Sequence, residues 1–308
     1  MKLAVILNGI SLKKDHFYRN TLPALTRHFS LEVFETRSKD DASALAAEAV
    51  IRNFDVLLSA GGDGTLHQVI NGMLAGVTNS KPLPALAVLP LGSGNDFART
   101  LYVTPADIDI VEILHEFKTI SCDLGEVTFS LSAPADGIAV MKASRYFLNV
   151  VDVGMGPAVV RKVLNSDKRL GSAVAYYQNI ISTFFNYSAQ RLEARSSEWS
   201  CIDLMKTFAV ANGRSYGNGL CIAPEAKIDD GKFNVFACGN VSVLDFILQS
   251  LPLKAGRRVR HQYVKYFECD QVEMVSDQAL EIEADGEILG WLPAVVRMTP
   301  MKVRILRG

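Results

Sequence analysis

The chain predicts an α/β domain built on a parallel sheet, followed by an antiparallel β domain. Three observations carry that reading. Up to about residue 120, short continuous apolar runs alternate with helical stretches at βαβ spacing. Two of those runs end in glycine-rich turns that open directly into helices. Beyond Thr119 the segments become short, β-branched or aromatic, and are separated by turn residues.

The first run, Leu3 to Leu7, is apolar throughout, as a parallel strand covered on both faces should be, and it ends in Asn8-Gly9. A helical stretch follows around Arg19 to Phe29, with Pro23 in its first turn. Leu31 to Glu35 reads as a second strand leading to Thr36. Asp40 or Asp41 is then expected to cap an alanine-rich helix with Leu45, Ala46, Ala49 and Val50 on one stripe. Next comes strand Asp55 to Ala60, the turn Gly61-Gly62-Asp63-Gly64 and a helix beginning near Thr65. The pattern repeats with strand Ala85 to Leu89, the turn Pro90-Leu91-Gly92-Ser93-Gly94-Asn95 and a helix from Asp96. Thr104-Pro105-Ala106-Asp107 carries the signature of another helix start, running to about Lys118.

In the second half, strands are expected at Ser144 to Gly154, Thr207 to Ala211, Lys232 to Ala237, Tyr263 to Cys269, Gln271 to Val275 and Leu280 to Ala284. Helices are expected at Gly171 to Asn186 and about Val243 to Lys254.

Composition excludes several classes. With 49% hydrophobic and 21% charged residues the chain is ordinarily globular, and its formal net charge of −1 gives no bulk attraction to nucleic acid. The five cysteines form no CxxC pair, which favours buried thiols over a zinc site or disulfide framework. No apolar run approaches the roughly 20 residues that span a bilayer. The start, MKLAVILNGISLKK, fits a first strand better than a signal peptide. A cytosolic protein that can still touch a membrane surface is expected.

The glycine turns carry the chemistry. Glycine lets backbone N–H groups face an anion, and the first N–H groups of the following helix lie at the positive end of its dipole. Asp63 would repel phosphate unless it holds Mg²⁺ between itself and the phosphate oxygens. An isolated GGDG is equally a tight strand-to-helix turn with a solvated aspartate. The second turn at Gly92 to Asn95 makes two anion-binding turns on one sheet edge, which is more informative than either alone.

Other stretches remain two-sided. The glycine cluster from Asn212 to Gly219 reads as ordinary β-turns. Asp229-Asp230-Gly231 is a hairpin turn or a seat for a hard cation. Glu281 to Glu287 is a hairpin with a solvated acidic face, or it aims Asp285 and Glu287 into a cleft, where a phosphoryl acceptor needs a base. Lys254, Arg257, Arg258 and Arg260 form a solvated basic face, or they attract anionic lipid headgroups.

Taken in order, these blocks resemble the diacylglycerol-kinase catalytic family, including the bacterial soluble diacylglycerol and related lipid kinases, with sphingosine and ceramide kinases as relatives. The likeness rests on GGDGTLHQVING at Gly61 to Gly72, PLGSGNDFAR at Pro90 to Arg99, Cys122-Asp123-Leu124-Gly125, VANGRSYGNGLCIAPEAKIDDG at Val210 to Gly231, and ADGE at Ala284 to Glu287. NAD kinases and phosphofructokinases share the GGDG element of the first block but lack the second and fourth blocks.

The resemblance implies an α/β fold class: an NAD-kinase/phosphofructokinase-like three-layer nucleotide domain over residues 1–120, followed by an antiparallel β-sandwich-like lipid-substrate domain over 121–299. The tail, 300–308, is expected to pack back on the first domain. It implies ATP and Mg²⁺ as cofactors. Nucleotide-binding positions fall on Asn8, Thr36, Gly61, Gly62, Asp63, Gly64, Thr65, Leu66, His67, Gln68, Gly92, Ser93, Gly94 and Asn95. The catalytic base falls on Glu287, with Asp285 beside it and Asp63 in the Mg²⁺ network. A structural Mg²⁺ site falls on the Asp230 side chain and the carbonyls of Lys227 and Lys232.

The expected activity is transfer of the γ-phosphoryl group to a lipid hydroxyl, diacylglycerol first. Phosphatidylglycerol, a sphingoid base, NAD or a catalytically silent nucleotide sensor are the rivals. The expected partner is lipid at a membrane surface on the cytoplasmic side, without nucleic acid or a transmembrane segment; a homodimer is left open. Three positions depart from the family pattern: the first loop reads Asn8-Gly9-Ile10-Ser11-Leu12, Ser93 replaces threonine, and His67 replaces asparagine.

Overall fold

A computed structural model describes residues 1–38, 40–77, 82–102, 108–134, 141–165 and 172–308. The chain divides into two compact units, Met1–Cys122 with Met301–Gly308, and Asp123–Pro300.

In the first unit, strands β1 (Lys2–Leu7), β2 (Ser30–Glu35), β3 (Val56–Gly61) and β4 (Ala85–Pro90) pair in the order β2-β1-β3-β4, all parallel. Ile305 adds the chain's last strand alongside Leu86 of β4, again parallel. Leu3 to Leu7, and all of β3 and β4, are buried, which explains their unbroken apolar runs. Because β2 lies on one side of β1 and β3 on the other, the sheet changes direction between β1 and β3. Open α/β sheets bind ligands outside the carboxyl ends of the strands at such a point.

The helices correct the sequence reading in places. The first helical stretch starts earlier than expected, at Lys14, and ends at Thr26. Asp40 and Asp41 do not cap the helix Asp41–Ile51 as expected. Asp40 stands at the cap position with φ 76° and makes no capping bond, while the Asp41 carboxylate accepts the N–H groups of Arg37 and Ser38 and closes the preceding loop. The helix after β3 runs from Asp63 to Ala75, two residues earlier than Thr65. Thr104 to Asp107 lie outside the described residues; the helix downstream is Ile110–Glu116, capped by Asp109, whose Oδ1 accepts from Val111 and Glu112.

In the second unit the strands are β5 (Thr119–Ser130, from Asp123 on), β6 (Lys142–Phe147), β7 (Val150–Gly154), β8 (Gln190–Arg195), β9 (Ser200–Met205), β10 (Thr207–Ala211), β11 (Phe233–Cys238), β12 (Val264–Cys269), β13 (Gln271–Val275), β14 (Glu281–Ala284) and the first part of β15 (Glu287–Leu306). One path of antiparallel pairs runs β12-β11-β10-β7-β14-β15, and β13, β8 and β9 extend from β15. Alternation builds two cores on its central strands. Val151, Val153, Phe208, Val210, Phe233 and Val235 enter one. Val150, Ala209, Ala211 and Phe236 enter the other, beneath the helices, with Ile180 and Phe184 of helix Ser172–Asn186 and Leu253 of helix Val243–Lys254.

The expected single strand from Ser144 to Gly154 is two strands, and a helix that the sequence reading did not assign, Met155–Asn165, follows directly. All five cysteines are free thiols, four of them buried.

Candidate active site

Three loops meet at the carboxyl edge of the first unit's sheet. Asn8 follows β1; its side-chain amide donates to Thr65 Oγ1 at 3.0 Å and its Oδ1 accepts the Ile10 N–H. Gly9 N–H donates to Thr36 Oγ1 at 3.0 Å. A Cβ on Gly9 would stand 2.1 Å from the Thr36 carbonyl, so the glycine that distinguishes this first loop is required by close approach. Ser11 Oγ donates to the Leu91 carbonyl at 2.9 Å, tying the first loop to the one after β4.

The two glycine turns are bound back to back. The Gly61 carbonyl accepts the N–H groups of Leu91 and Gly92 at 2.8 and 3.1 Å. Asn95, at φ 54°, clips its own loop shut: its Oδ1 accepts the Gly92 N–H and its Nδ2 donates to the Gly92 carbonyl. Ser93 stands exposed at the tip between those bonds.

Asp63 Oδ1 accepts the Phe97 N–H at 3.1 Å, at the start of helix Asp96–Leu101. A Cβ on Gly94 would lie 3.2 Å from Asp63 Oδ2 and 3.5 Å from Asp96 Oδ2, so two carboxylates flank one loop position. Asp96 also faces Arg99 Nε at 3.7 Å. An oxygen-only pair beside a glycine-rich turn fits a hard divalent cation that keeps water and phosphate oxygens as its remaining ligands. Among the described residues no group of three or more His, Cys, Asp or Glu gathers into a complete protein-only metal cage.

In the second unit, Ala284 pairs with Glu287 across a two-residue turn, Asp285-Gly286, with φ 51° and 86°. That is the hairpin reading of this stretch, in the doubly positive geometry that suits strand twist. Asp285 is buried. Its Oδ1 accepts the N–H groups of Asn149 and Val150, and its Oδ2 that of Leu148, each at 3.0 Å. Those three bonds hold the break between β6 and β7. Glu287 is half-buried at the start of β15.

The acidic face of this hairpin is not solvated as the bland reading supposed. Glu283 is fully buried and stands opposite Asp152 of β7, which is also fully buried. Tyr216 donates its hydroxyl to Asp152 Oδ2 at 3.1 Å, and Glu283 Oε2 accepts the Gly286 N–H at 2.8 Å. Among the described residues Asp152 Oδ1 and Glu283 Oε1 have no hydrogen-bond partner. Burial pushes the Asp152 carboxyl up to about 8, and burial together with the Asp152 charge raises Glu283 well above the usual carboxylate range. Both carboxyls are thereby biased toward the protonated form.

The third cluster is the loop before β11. Asp230-Gly231 is not the two-residue turn of a hairpin: Gly231 has φ 77°, but β10, the antiparallel partner of β11, ends at Ala211, far upstream of the turn. Asp230 Oδ1 accepts the Lys232 N–H at 3.1 Å, and the buried Asp123 Oδ2 accepts the Gly231 N–H at 2.6 Å. Asp230 is exposed, and its donors with the neighbouring carbonyls are all oxygen, which fits a hard cation.

Residues 2–127 match the family model described as diacylglycerol kinase catalytic domain, and residues 149–307 match the one described as YegS C-terminal NAD kinase beta sandwich-like domain. This chain belongs to the diacylglycerol kinase family. A diacylglycerol kinase of Bacillus subtilis (strain 168) is 25% identical over 298 residues, covering 95% of this chain and 92% of the relative. One of Staphylococcus aureus (strain MRSA252) is 26% identical over 301 residues, covering 95% and 88%. Two solved chains from Bacillus anthracis str. Sterne, the second described as a diacylglycerol kinase, share the fold. Their TM-scores are 0.75 and 0.70, at 19% and 18% identity, and each match covers 100% of this chain and 97% of the other.

As a member of the diacylglycerol kinase family the chain is a phosphotransferase with an alcohol acceptor, built as an NAD-kinase-like α/β domain with a β-sandwich-like second domain. Of the residues expected at its nucleotide site, the structure gathers Asn8, Thr36, Gly61, Gly62, Asp63, Gly64, Thr65, Gly92, Ser93, Gly94 and Asn95 along one edge. Leu66 and His67 differ: both side chains are buried, and the Leu66 N–H is already given to the Gly62 carbonyl. Gln68 is half-buried one position further along the helix.

The sequence reading assigned no site role to Asp96, Ser11, Asp123, Asp152, Glu283 or Tyr216. For Asp96 and Asp123 a signal was present, since both sit inside the family blocks. For Asp152 and Glu283 none was, because alternation predicts that an acid between apolar strand residues faces water.

Proposed function

We propose that this chain is an ATP- and Mg²⁺-dependent lipid kinase that transfers the γ-phosphoryl group to the hydroxyl of diacylglycerol, giving phosphatidic acid. The observation that carries the reading is the pair of back-to-back glycine turns with Asp63 and Asp96 flanking Gly94. The names of the relatives from Bacillus subtilis and Staphylococcus aureus support the acceptor. In this reading the backbone N–H groups of the two turns bind the nucleotide phosphates. Asn8 and Thr36 fix the first loop that borders them. Asp63 and Asp96 would hold a Mg²⁺ ion there, and the ion would supply neutralisation of the phosphate oxygens.

Glu287 takes the proton of the acceptor hydroxyl, and Asp285 fixes the turn from which Glu287 projects. Asp230, with the carbonyls of Lys227 and Lys232, is the seat proposed for a second, structural cation. Lipid acceptors place the enzyme at a membrane surface on the cytoplasmic side; no helix among the described residues is long and apolar enough to cross a membrane.

The test is incubation with γ-labelled ATP, Mg²⁺ and a total lipid extract, with NAD in a parallel arm, followed by identification of the labelled product. Labelled phosphatidic acid is expected. Label appearing only in NADP, or in no product, overturns the proposal.

A further inference from the structure

Helix Val243–Lys254 is apolar on two opposite sides, and the fold uses only one of them. Phe246 and Leu253 pack inward, Phe246 stacked on Phe184 with ring centroids 4.6 Å apart. On the other side Leu244, Ile247, Leu248 and Leu251 are 65%, 46%, 62% and 75% exposed. At about 100° per residue those four positions fall within one arc of roughly 100° along the helix. Phe185, on the neighbouring helix Ser172–Asn186, is 66% exposed as well. Scattered exposed apolar residues are ordinary, but four aliphatic side chains in one stripe are a patch that something covers.

The helix is held firmly while it presents that stripe. Ser242 and Asp245 close a capping box at its start, and the chain turns at Gly256 (φ 70°), with the Arg257 N–H returned to the Pro252 carbonyl. Immediately after the stripe, residues 254–265, KAGRRVRHQYVK, contain five lysines and arginines and no acid. Arg258 is paired with Glu225, and Lys265 faces Asp203. Arg257 and Arg260 are exposed and make no ion pair among the described residues.

We infer that the Leu244–Leu251 stripe with its Arg257/Arg260 rim docks this protein on an anionic lipid surface. The inference rests on the lipid-kinase reading and names the surface that reading needs. An aliphatic stripe on one side of a helix beside a cationic rim matches the acyl and headgroup layers of such a surface. A second copy of the chain is a poorer match, because a two-fold contact through the same stripe would bring the cationic rims of both copies to one interface.

The experiment is flotation with vesicles of phosphatidylcholine, with and without phosphatidylglycerol, in the absence of nucleotide. The wild-type chain is compared with Leu248→Gln/Leu251→Gln and Arg257→Gln/Arg260→Gln, whose folding is checked by thermal melting. Wild type is expected to float with the phosphatidylglycerol vesicles and to be released by salt, and each double variant to bind about tenfold more weakly or less. KM for vesicle-borne diacylglycerol should rise in both variants, with turnover of a water-dispersed short-chain diacylglycerol unchanged. Equal flotation of all three proteins overturns the inference. So does a dimer that Leu248→Gln/Leu251→Gln dissociates while vesicle binding persists, since the stripe then belongs to a second copy. Capture on vesicles with no lipid phosphorylated under any condition supports the docking surface and sinks the kinase reading instead.

Discussion

Gly62 and Gly92 are pressed together so closely that a Cβ on Gly92 would stand 2.4 Å from Gly62 Cα. The contact joins the turn after β3 to the turn after β4 and makes one surface of two loops that lie 30 positions apart in the chain.

Gly92→Ala should therefore separate the loops rather than fill space. The added methyl meets backbone, which cannot rotate away, so a cost of about 1–3 kcal/mol in stability is expected. Nucleotide affinity should fall with it. Thermal melting and nucleotide titration check this, and an unchanged affinity would show that the two turns do not act as one cradle.

Asp63→Asn keeps an oxygen that can still accept the Phe97 N–H, so the fold should lose less than about 1 kcal/mol. It removes the charge proposed to hold Mg²⁺. Turnover should drop roughly 100-fold or more, with a raised Mg²⁺ requirement. Steady-state kinetics across a Mg²⁺ series measures both effects.

Asp285 and Glu287 should separate cleanly under mutation. Asp285→Ala leaves the N–H groups of Leu148, Asn149 and Val150 buried without their acceptor, and roughly 3 kcal/mol or more of stability should go. Glu287→Gln should melt like wild type, retain nucleotide affinity and lose turnover. A Glu287→Gln variant with wild-type kcat would remove it as the base.

The Asp152–Glu283 pair should give stability a pH dependence. Asp152 has a carboxyl raised from 3.8 to about 8 in the folded chain, so between those values the folded state holds a proton that the unfolded state has released. The contribution of Asp152 to stability is then full below pH 3.8 and is lost as pH rises toward 8. Asp152→Asn should flatten that part of the curve and stabilise the protein on its alkaline side. Denaturant unfolding at a series of pH values checks the sign; a slope unchanged by the substitution would mean that Asp152 titrates normally.

Much of the fold is legible in the residues because each signal is local. Leu3 to Leu7 and Ala85 to Leu89 are buried on both faces and so read as unbroken apolar runs. Asp285-Gly286 is a two-residue turn because the chain needs positive φ at both positions. The glycines at Gly61, Gly62, Gly92 and Gly94, with Asp63 among them, mark the two tight strand-to-helix turns before any contact is known.

Other features are set by groups far apart in sequence, which no local pattern records. The break between β6 and β7 is made by Asp285, whose partner Leu148 stands 137 positions away. Asp96 reads as a helix start until Gly94 sets it beside Asp63.

By itself, then, the sequence determined the order of strands and helices in the first unit, the two glycine turns and the family, because these depend on periodicity and backbone freedom within a few residues. Only tertiary structure decided which carboxylates are paired, which are buried, and which helix face is left uncovered. Those depend on burial and on cross-strand neighbours, and Glu283 opposite Asp152 is the plainest case: alternation places an acid on a face, but only packing decides whether that face meets water.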